Sequence, residues 1–185
     1  SKNEEHLFDL RSLSVASCYK HTLTSLKEFG IDCKINPIPN EMENPIPLNL
    51  DEHHATYDPR HAANLHQALL KASKVFTQFR AEFIGKCSPV HFFWGGFDLA
   101  VTRFSGREAP LHPGGVPNMP DRVAHEAYSH EVCSCGFWPG SDAVPFAAFY
   151  SYIYPEPAGL KNSAISPEAA YYDDNLREFL LPYKE

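Results

Sequence analysis

The chain has 185 residues, of which 43% are hydrophobic and 21% are charged, so disorder of the whole chain is excluded and a single domain over residues 1–185 is expected. The net charge of −7 argues against a nucleic-acid or anionic-membrane partner, because both favour basic surfaces. The sequence has a polar start and lacks an apolar run of about 18 residues. We therefore expect no signal peptide, no membrane span and a cytoplasmic location.

The five cysteines are odd in number and lack the paired spacing of a zinc site. Cys133 and Cys135 form a C-x-C, which would place both thiols on one face of a strand. Because disulfides are rare in cytosolic proteins, we expect reduced, partly buried thiols.

The first part of the chain predicts two helices joined by an irregular segment. Apolar residues at helical spacing predict a helix over residues 11–29 that ends at Gly30. Alternation predicts a short strand over residues 33–38, followed by a proline-rich loop. A long second helix is expected between Asp58-Pro59 and Gly85. Its apolar positions recur at steps of four and three: Leu65, Leu69, Ala72, Phe76, Phe79 and Phe83.

After Pro89 the hydrophobic period changes to two, which predicts strands. Residues 90–94 and 97–104 flank Gly95-Gly96, the signal of a two-residue hairpin turn. A Gly/Pro loop over 105–124, strands over 126–137 and 146–154 and a closing helix over 167–181 follow. The fold class is therefore predicted to be α+β, with an antiparallel β-sheet of hairpins packed against a long amphipathic helix and additional helices.

The turn at Gly95-Gly96 fixes the register of the first hairpin, because it pairs Phe92 with Leu99. One apolar face should then be buried against the long helix, with members Val90, Phe92, Trp94, Leu99 and Val101. On the opposite face, His91 and Asp98 become diagonal neighbours. A carboxylate near an imidazole raises the imidazole pKa and fixes its tautomer, as a general base or a metal ligand requires.

The later strands also carry polar groups where a plain core would use Phe or Leu. Tyr150, Tyr152 and Tyr154 alternate along one strand. Tyr128 and His130 share one face of the preceding strand, and Glu131 points to the other. Such rows are typical of a polar pocket with aromatic walls. A solvated sheet surface, or an interface with another chain, explains them nearly as well.

Several blocks of the sequence resemble a known family. Residues 79–107 read FRAEFIGKCSPVHFFWGGFDLAVTRFSGR, and HPGG at 112–115, EAYSHEV at 126–132, GFWPG at 136–140 and AFYSYIYPEP at 148–157 follow. These blocks resemble an uncharacterised, mainly bacterial family catalogued as a domain of unknown function. The resemblance implies that its pattern here includes His91, Asp98, Arg103, His112, His130, Glu131, Trp138 and Tyr150. Because members tend to be longer, the chain is either a short version or a fragment of such a protein.

Our best functional hypothesis is an enzyme that acts on a small molecule by His/Asp acid–base or metal-assisted chemistry. His91 or His130 would be the base or metal ligand, Asp98 the orienting carboxylate, Arg103 an anion clamp and Glu131 a supporting group. We expect His91, Asp98, Arg103 and His130 to converge on one concave surface. The ligand would lie against His112, Trp138, Tyr150 and Tyr152.

Other hypotheses remain open. A non-catalytic module could bind a small molecule or a sugar on the aromatic rows, or the chain could be an interaction subunit. The cofactor is unknown; a divalent metal held by His54, Asp58 and His61, or by the later histidines, is an alternative for which the sequence lacks a known ligand spacing. The reaction class and oligomeric state are not predicted.

Overall fold

The computed structural model describes residues 5–141 and 144–183. Within them the secondary structure comprises three α-helices, a short 3-10 turn at Leu160–Asn162, and six strands. The helices are α1 (Val15–Glu28), α2 (Pro59–Ala81) and α3 (Asp121–Ala127). The strands are β1 (His91–Phe93), β2 (Asp98–Glu108), β3 (His130–Trp138), β4 (Ala148–Tyr154), β5 (Tyr171–Asp173) and β6 (Glu178–Pro182). The α+β class is thereby confirmed, and the chain divides into two compact units, residues 1–66 and 67–185.

In the first unit, α1 is held at its start by the loop that follows it. The Ser14 side chain caps the helix by accepting from the Ser17 amide. The next free amides, of Val15 and Ala16, donate to the carbonyls of His54 and Asp51 at 3.0 and 2.9 Å. Backbone groups that a helix end leaves unsatisfied are thus paired with the loop.

The second unit is built on one antiparallel sheet with the strand order β1-β2-β3-β4-β6-β5. Its centre is fully buried, with Val101, Phe137, Ala148 and Leu180 at 0–1% exposure. None of the helices in the described ranges combines the length and the apolar character that a membrane crossing requires.

Strand alternation divides the sheet into two faces. One face, here called the helix face, packs against the second half of α2. The Phe76 ring of that helix lies edge-on to the Phe149 ring, with the ring centroids 6.0 Å apart. By register it carries Leu99, Val101, Arg103, Cys133, Cys135, Phe137, Phe149, Ser151 and Ile153. The other face, here the tyrosine face, carries His91, Asp98, Ala100, Thr102, Ser134, Gly136, Tyr150, Tyr152 and Tyr154.

The predicted hairpin register is confirmed, since Phe92 lies opposite Leu99 and His91 opposite Ala100. The predicted burial of Trp94 is wrong, because its side chain is 83% exposed. Strand β1 has only three residues, so Trp94 belongs to a turn that projects beyond the paired strands. That turn spans residues 94–97, and its left-handed residue is Phe97 (φ 60°) rather than a glycine.

Four other predicted boundaries are corrected. Residues 33–38 form no strand, because Pro37 lacks an amide hydrogen for a ladder. The long helix ends at Ala81, where the Phe83 amide makes a tighter bond to the Arg80 carbonyl. Residues 126–127 end α3 instead of beginning a strand. The helix predicted over 167–181 is the β5–β6 hairpin, which pairs with β4.

Candidate functional site

On the tyrosine face, one side-chain hydrogen bond joins two strands across a third strand between them. The Tyr150 phenol on β4 donates to the Asp98 carboxylate on β2, across the intervening strand β3. Gly136 is the β3 residue opposite Tyr150, and a Cβ built there would lie 2.5 Å from Tyr150 Cε1 and closer still to Cζ and Oη. The Tyr150 ring therefore lies across the glycine, and only the absence of a side chain at position 136 lets the phenol reach Asp98.

The electrostatics of this pair follow from its burial. Desolvation raises the pKa of Asp98, although the Tyr150 hydrogen bond and the nearby His91 act in the opposite direction. Burial, and then the charge of Asp98, raises the pKa of Tyr150 strongly. The phenol therefore stays protonated and acts as a hydrogen-bond donor.

A second carboxyl group, Glu178, lies on the same face and was missed from the sequence. Glu178 begins β6, two positions before Leu180, which is the partner of Tyr150. Burial, reinforced by the charges of Asp173 and Asp98, raises the pKa of Glu178 to about 7. Protonated and ionised forms therefore coexist at neutral pH. If residues 178–182 are treated as a strand, the period of two places Glu178 on the same face as Leu180.

Aromatic side chains form a wall beside these carboxyl groups. The hydroxyls of Tyr152 and Tyr128 are 3.0 Å apart, and the Tyr128 ring stacks on His112 with centroids 4.7 Å apart. The Gly114 amide donates to His112 Nδ1 at 3.1 Å, so that nitrogen carries no proton. Tyr150 and Tyr152 also stack, at 6.1 Å. The structure thus brings three predicted ligand-binding residues to one wall.

Two small hydroxyl residues connect the tyrosine face to the core. Ser134 is 2% exposed, and its hydroxyl lies 3.0 Å from that of Thr102. Ser134 also lies opposite Tyr152 in the ladder and lowers the pKa of that phenol, against the larger effect of burial, which raises it. Sequence reasoning overlooked Ser134, because a serine between two cysteines carries no distinctive signal.

The predicted convergence of His91, Asp98, Arg103 and His130 is wrong. His91 and Asp98 share the tyrosine face, and His91 acts electrostatically on the Asp98 carboxylate. Arg103 stands an odd number of positions after Asp98 on the same strand, so alternation places it on the helix face. There its guanidinium stacks on the Phe79 ring at 3.3 Å and donates to the Phe79 carbonyl.

The remaining predicted residues lie outside the Asp98–Tyr150 centre. His130 is exposed at the start of β3, with Nδ1 3.1 Å from the Ser129 hydroxyl. Glu131 pairs with Arg107 at 2.5 Å, and that contact lowers its pKa. Trp138 is opposite Ala148 at the end of β3 and is half-buried on the tyrosine face.

The metal alternative receives no support from the described parts of the chain, and neither does a role for Cys133 or Cys135 as a nucleophile. No three His, Cys, Asp or Glu side chains in residues 5–141 and 144–183 lie together as a metal site would require. Asp58 instead pairs with Arg60, and His54 with Asp51. Desolvation raises the pKa of Cys133, and that of Cys135 to about 12, so both thiols stay protonated and are poor nucleophiles.

Comparison with known proteins gives one family assignment. Residues 1–185 match the model described as Family of unknown function (DUF5996), and the chain belongs to that family. Searches of curated proteins and of solved structures found no match. The membership confirms the expected resemblance to a family of unknown function, and it brings no activity with it.

Proposed function

We propose that the tyrosine face is an acid–base catalytic site for a small organic molecule. The observation that carries this proposal is the Tyr150–Asp98 hydrogen bond across Gly136, on a sheet face that also holds Glu178. Asp98, Tyr150 and Glu178 all remain partly accessible to solvent. A core would not leave two carboxyl groups and a phenol together at such a position, because each costs free energy to desolvate.

Each of these groups has a distinct role in the proposal. Glu178 titrates near neutral pH, so it can take a proton from a bound substrate or return one. Asp98 is held in place by Tyr150 and can in turn orient His91, on the same face, as a second proton carrier. When substrate displaces the Asp98 contact, the Tyr150 phenol becomes a donor to a developing negative oxygen.

The composition of the face indicates the substrate class. The tyrosine-face residues of β2, β3 and β4 include two hydroxyl residues, three tyrosines and Asp98 but neither Lys nor Arg among the described positions. An anionic substrate would meet Asp98 and Glu178 without a compensating cation. We therefore expect an uncharged or cationic substrate that presents a ring to the tyrosine wall.

The second candidate function is a non-catalytic binding module. The stacked rings of His112 and Tyr128 favour it, because aromatic walls bind the flat faces of sugars and heterocycles. The two candidates differ in what Glu178 must do. Catalysis requires its proton to exchange near neutral pH, whereas binding does not.

The test combines carbon-13 NMR of side-chain carboxyl groups with a panel of neutral and cationic ring compounds. We expect the Glu178 carboxyl to titrate near pH 7, and bound compounds to shift the Glu178 and Tyr150 resonances. Turnover of any bound ester, amide or glycoside should be lost in Glu178→Gln and kept in the matched control Glu131→Gln. Glu178 titrating near its ordinary value of 4.5, or turnover that survives Glu178→Gln, would overturn the catalytic assignment.

A further inference from the structure

We propose that the helix face holds a second small-molecule site, which binds an apolar monocarboxylate through the guanidinium of Arg103. A cavity of about 280 Å³ opens there, and Phe83 and Ile153 line it beside Arg103, Arg107 and Cys133. Arg103, Cys133 and Ile153 are neighbours on the helix face. The cavity that they line is therefore on the opposite side of the sheet from the acid–base site.

Arg103 is the feature that points to an anion. Its guanidinium carbon lies 3.3 Å from the centre of the Phe79 ring and 5.2 Å from that of Phe83, and the guanidinium donates to the Phe79 carbonyl. Its Nε is buried and has no hydrogen-bond partner, and no carboxylate pairs with it in the described part of the chain. A partly buried guanidinium without a counter-ion is costly, so a ligand carboxylate would offset that cost.

The other charges of the cavity are already matched. Glu131 accepts from Ser105 at 2.8 Å and pairs with Arg107 at 2.5 Å, which leaves Arg103 as the uncompensated charge. One negative group on the ligand is therefore enough, and a dianion would exceed the available cation.

Volume and wall chemistry restrict the rest of the ligand. The cavity of about 280 Å³ is at the small end of ligand sites, which span about 300–1,000 Å³, so it suits a small ligand body. Because the side chains of Phe83 and Ile153 offer no hydrogen bonds, that body should be aromatic or aliphatic. Phenylacetate, benzoate and hexanoate have this form, whereas sugar phosphates do not.

The experiment measures binding of these three acids by titration calorimetry, with benzyl alcohol, benzamide and hexanamide as their uncharged counterparts. We expect at least one acid to bind, and its uncharged counterpart to bind at least tenfold more weakly. Arg103→Met should reduce the affinity more than tenfold, and the matched control Arg122→Met, on the exposed surface of α3, should leave it unchanged. Glu131→Gln should tighten binding severalfold, because it removes the negative charge nearest the ligand.

A second variant protects the test against a folding failure of Arg103→Met. Ile153→Trp fills the cavity and leaves Arg103 in place, so it should abolish binding while circular dichroism shows a folded protein. Equal affinity for phenylacetate and benzyl alcohol, unchanged affinity in folded Ile153→Trp, or no binding of any acid at about 10 mM would overturn the proposal.

Discussion

The replacement Gly136→Ala should break the tyrosine-face site without adding or removing a polar group. The new Cβ would lie 2.5 Å from Tyr150 Cε1 and even nearer to Cζ and Oη, whereas carbon atoms prefer separations of about 3.5–4.0 Å. Gly136 itself is buried in β3, which is paired on both sides, so the strand cannot easily retreat. The Tyr150 ring must therefore move by about 1 Å or more and abandon Asp98.

The expected cost has two parts. Overpacking a filled site costs about 1–3 kcal/mol. Loss of a hydrogen bond to a charged group adds about 1.5–3 kcal/mol. Since the ring movement relieves part of the crowding, we expect Gly136→Ala to lower the free energy of unfolding by about 3–4 kcal/mol, measured by urea denaturation.

Combining Gly136→Ala with a second substitution at Tyr150 separates the cost of crowding from the cost of the lost hydrogen bond. In Tyr150→Ala the ring is gone, so Gly136→Ala should cost less than about 1 kcal/mol there. In Tyr150→Phe the ring remains, so the crowding cost should persist. Gly106→Ala is the matched control: nothing lies within 4 Å of its Cβ, and its positive φ of 82° should cost only about 1 kcal/mol. A Gly136→Ala cost that is below that of Gly106→Ala, or that is unchanged in Tyr150→Ala, would refute the reasoning.

Two more predictions concern stability. Because burial raises the pKa of Glu178 from 4.5 to about 7, the folded state holds its proton more tightly, and this stabilisation is present below about pH 4.5 and lost as pH rises through 7. Allowing for partial exposure, the free energy of unfolding of the wild type should fall by about 1–2 kcal/mol relative to that of Glu178→Gln between about pH 5 and pH 8. The same difference between the two proteins at both pH values, measured by urea denaturation, would contradict this. Phe76→Ala removes a ring that is 3% exposed and packs on Phe149, so it should lower the free energy of unfolding by about 3 kcal/mol. The control Val75→Ala, at a side chain that is 58% exposed, should lower it by less than about 0.5 kcal/mol. Similar losses for the two variants would argue against the packing of Phe76 on the sheet.

Local pattern was sufficient for the register of the first hairpin and for the tyrosine row. Phe92 opposite Leu99 follows from a short turn, because few residues separate the partners. The alternation of Tyr150, Tyr152 and Tyr154 on one face follows from the strand period of two. Neither inference required knowledge of which strand lies beside which.

The centre of the site could not be predicted, because it depends on contacts distant in sequence. The bond from Tyr150 to Asp98 requires the order β2-β3-β4 and a glycine at the crossing point, and position 136 gives no local sign of either. Glu178 was missed because residues 167–181 were assigned to a helix. In the structure Asp173 turns that chain by accepting from the amides of Asn175 and Leu176 at 2.9 Å, and β6 then pairs with β4.

Arg103 illustrates a different error, since alternation alone would have separated it from Asp98. Its charge suits an anion clamp beside the acid–base residues, and nothing in the charge shows which face it occupies. The alternation of side chains along a strand is a stronger constraint than the charge of one residue, because a side chain cannot change faces without a bulge. The irregularity in β2 comes only after Phe104, so Arg103 and Asp98 must lie on opposite faces.

The turn of the first hairpin yields a last prediction, because the glycines are not the residues with positive φ. Phe97 has φ 60°, where a Cβ costs about 1–2 kcal/mol, and it is 44% exposed. Replacing Phe97 by Gly or by Ala removes the same contact with Phe92, whose ring lies 5.0 Å away, so the comparison isolates the backbone. Phe97→Gly should therefore be about 1 kcal/mol more stable than Phe97→Ala in urea melts. The order should be reversed at Trp94, the first residue of the same turn, whose φ is not positive and where Gly brings only added chain entropy. If Ala were favoured at position 97 as well, Phe97 would not be the left-handed residue of this turn.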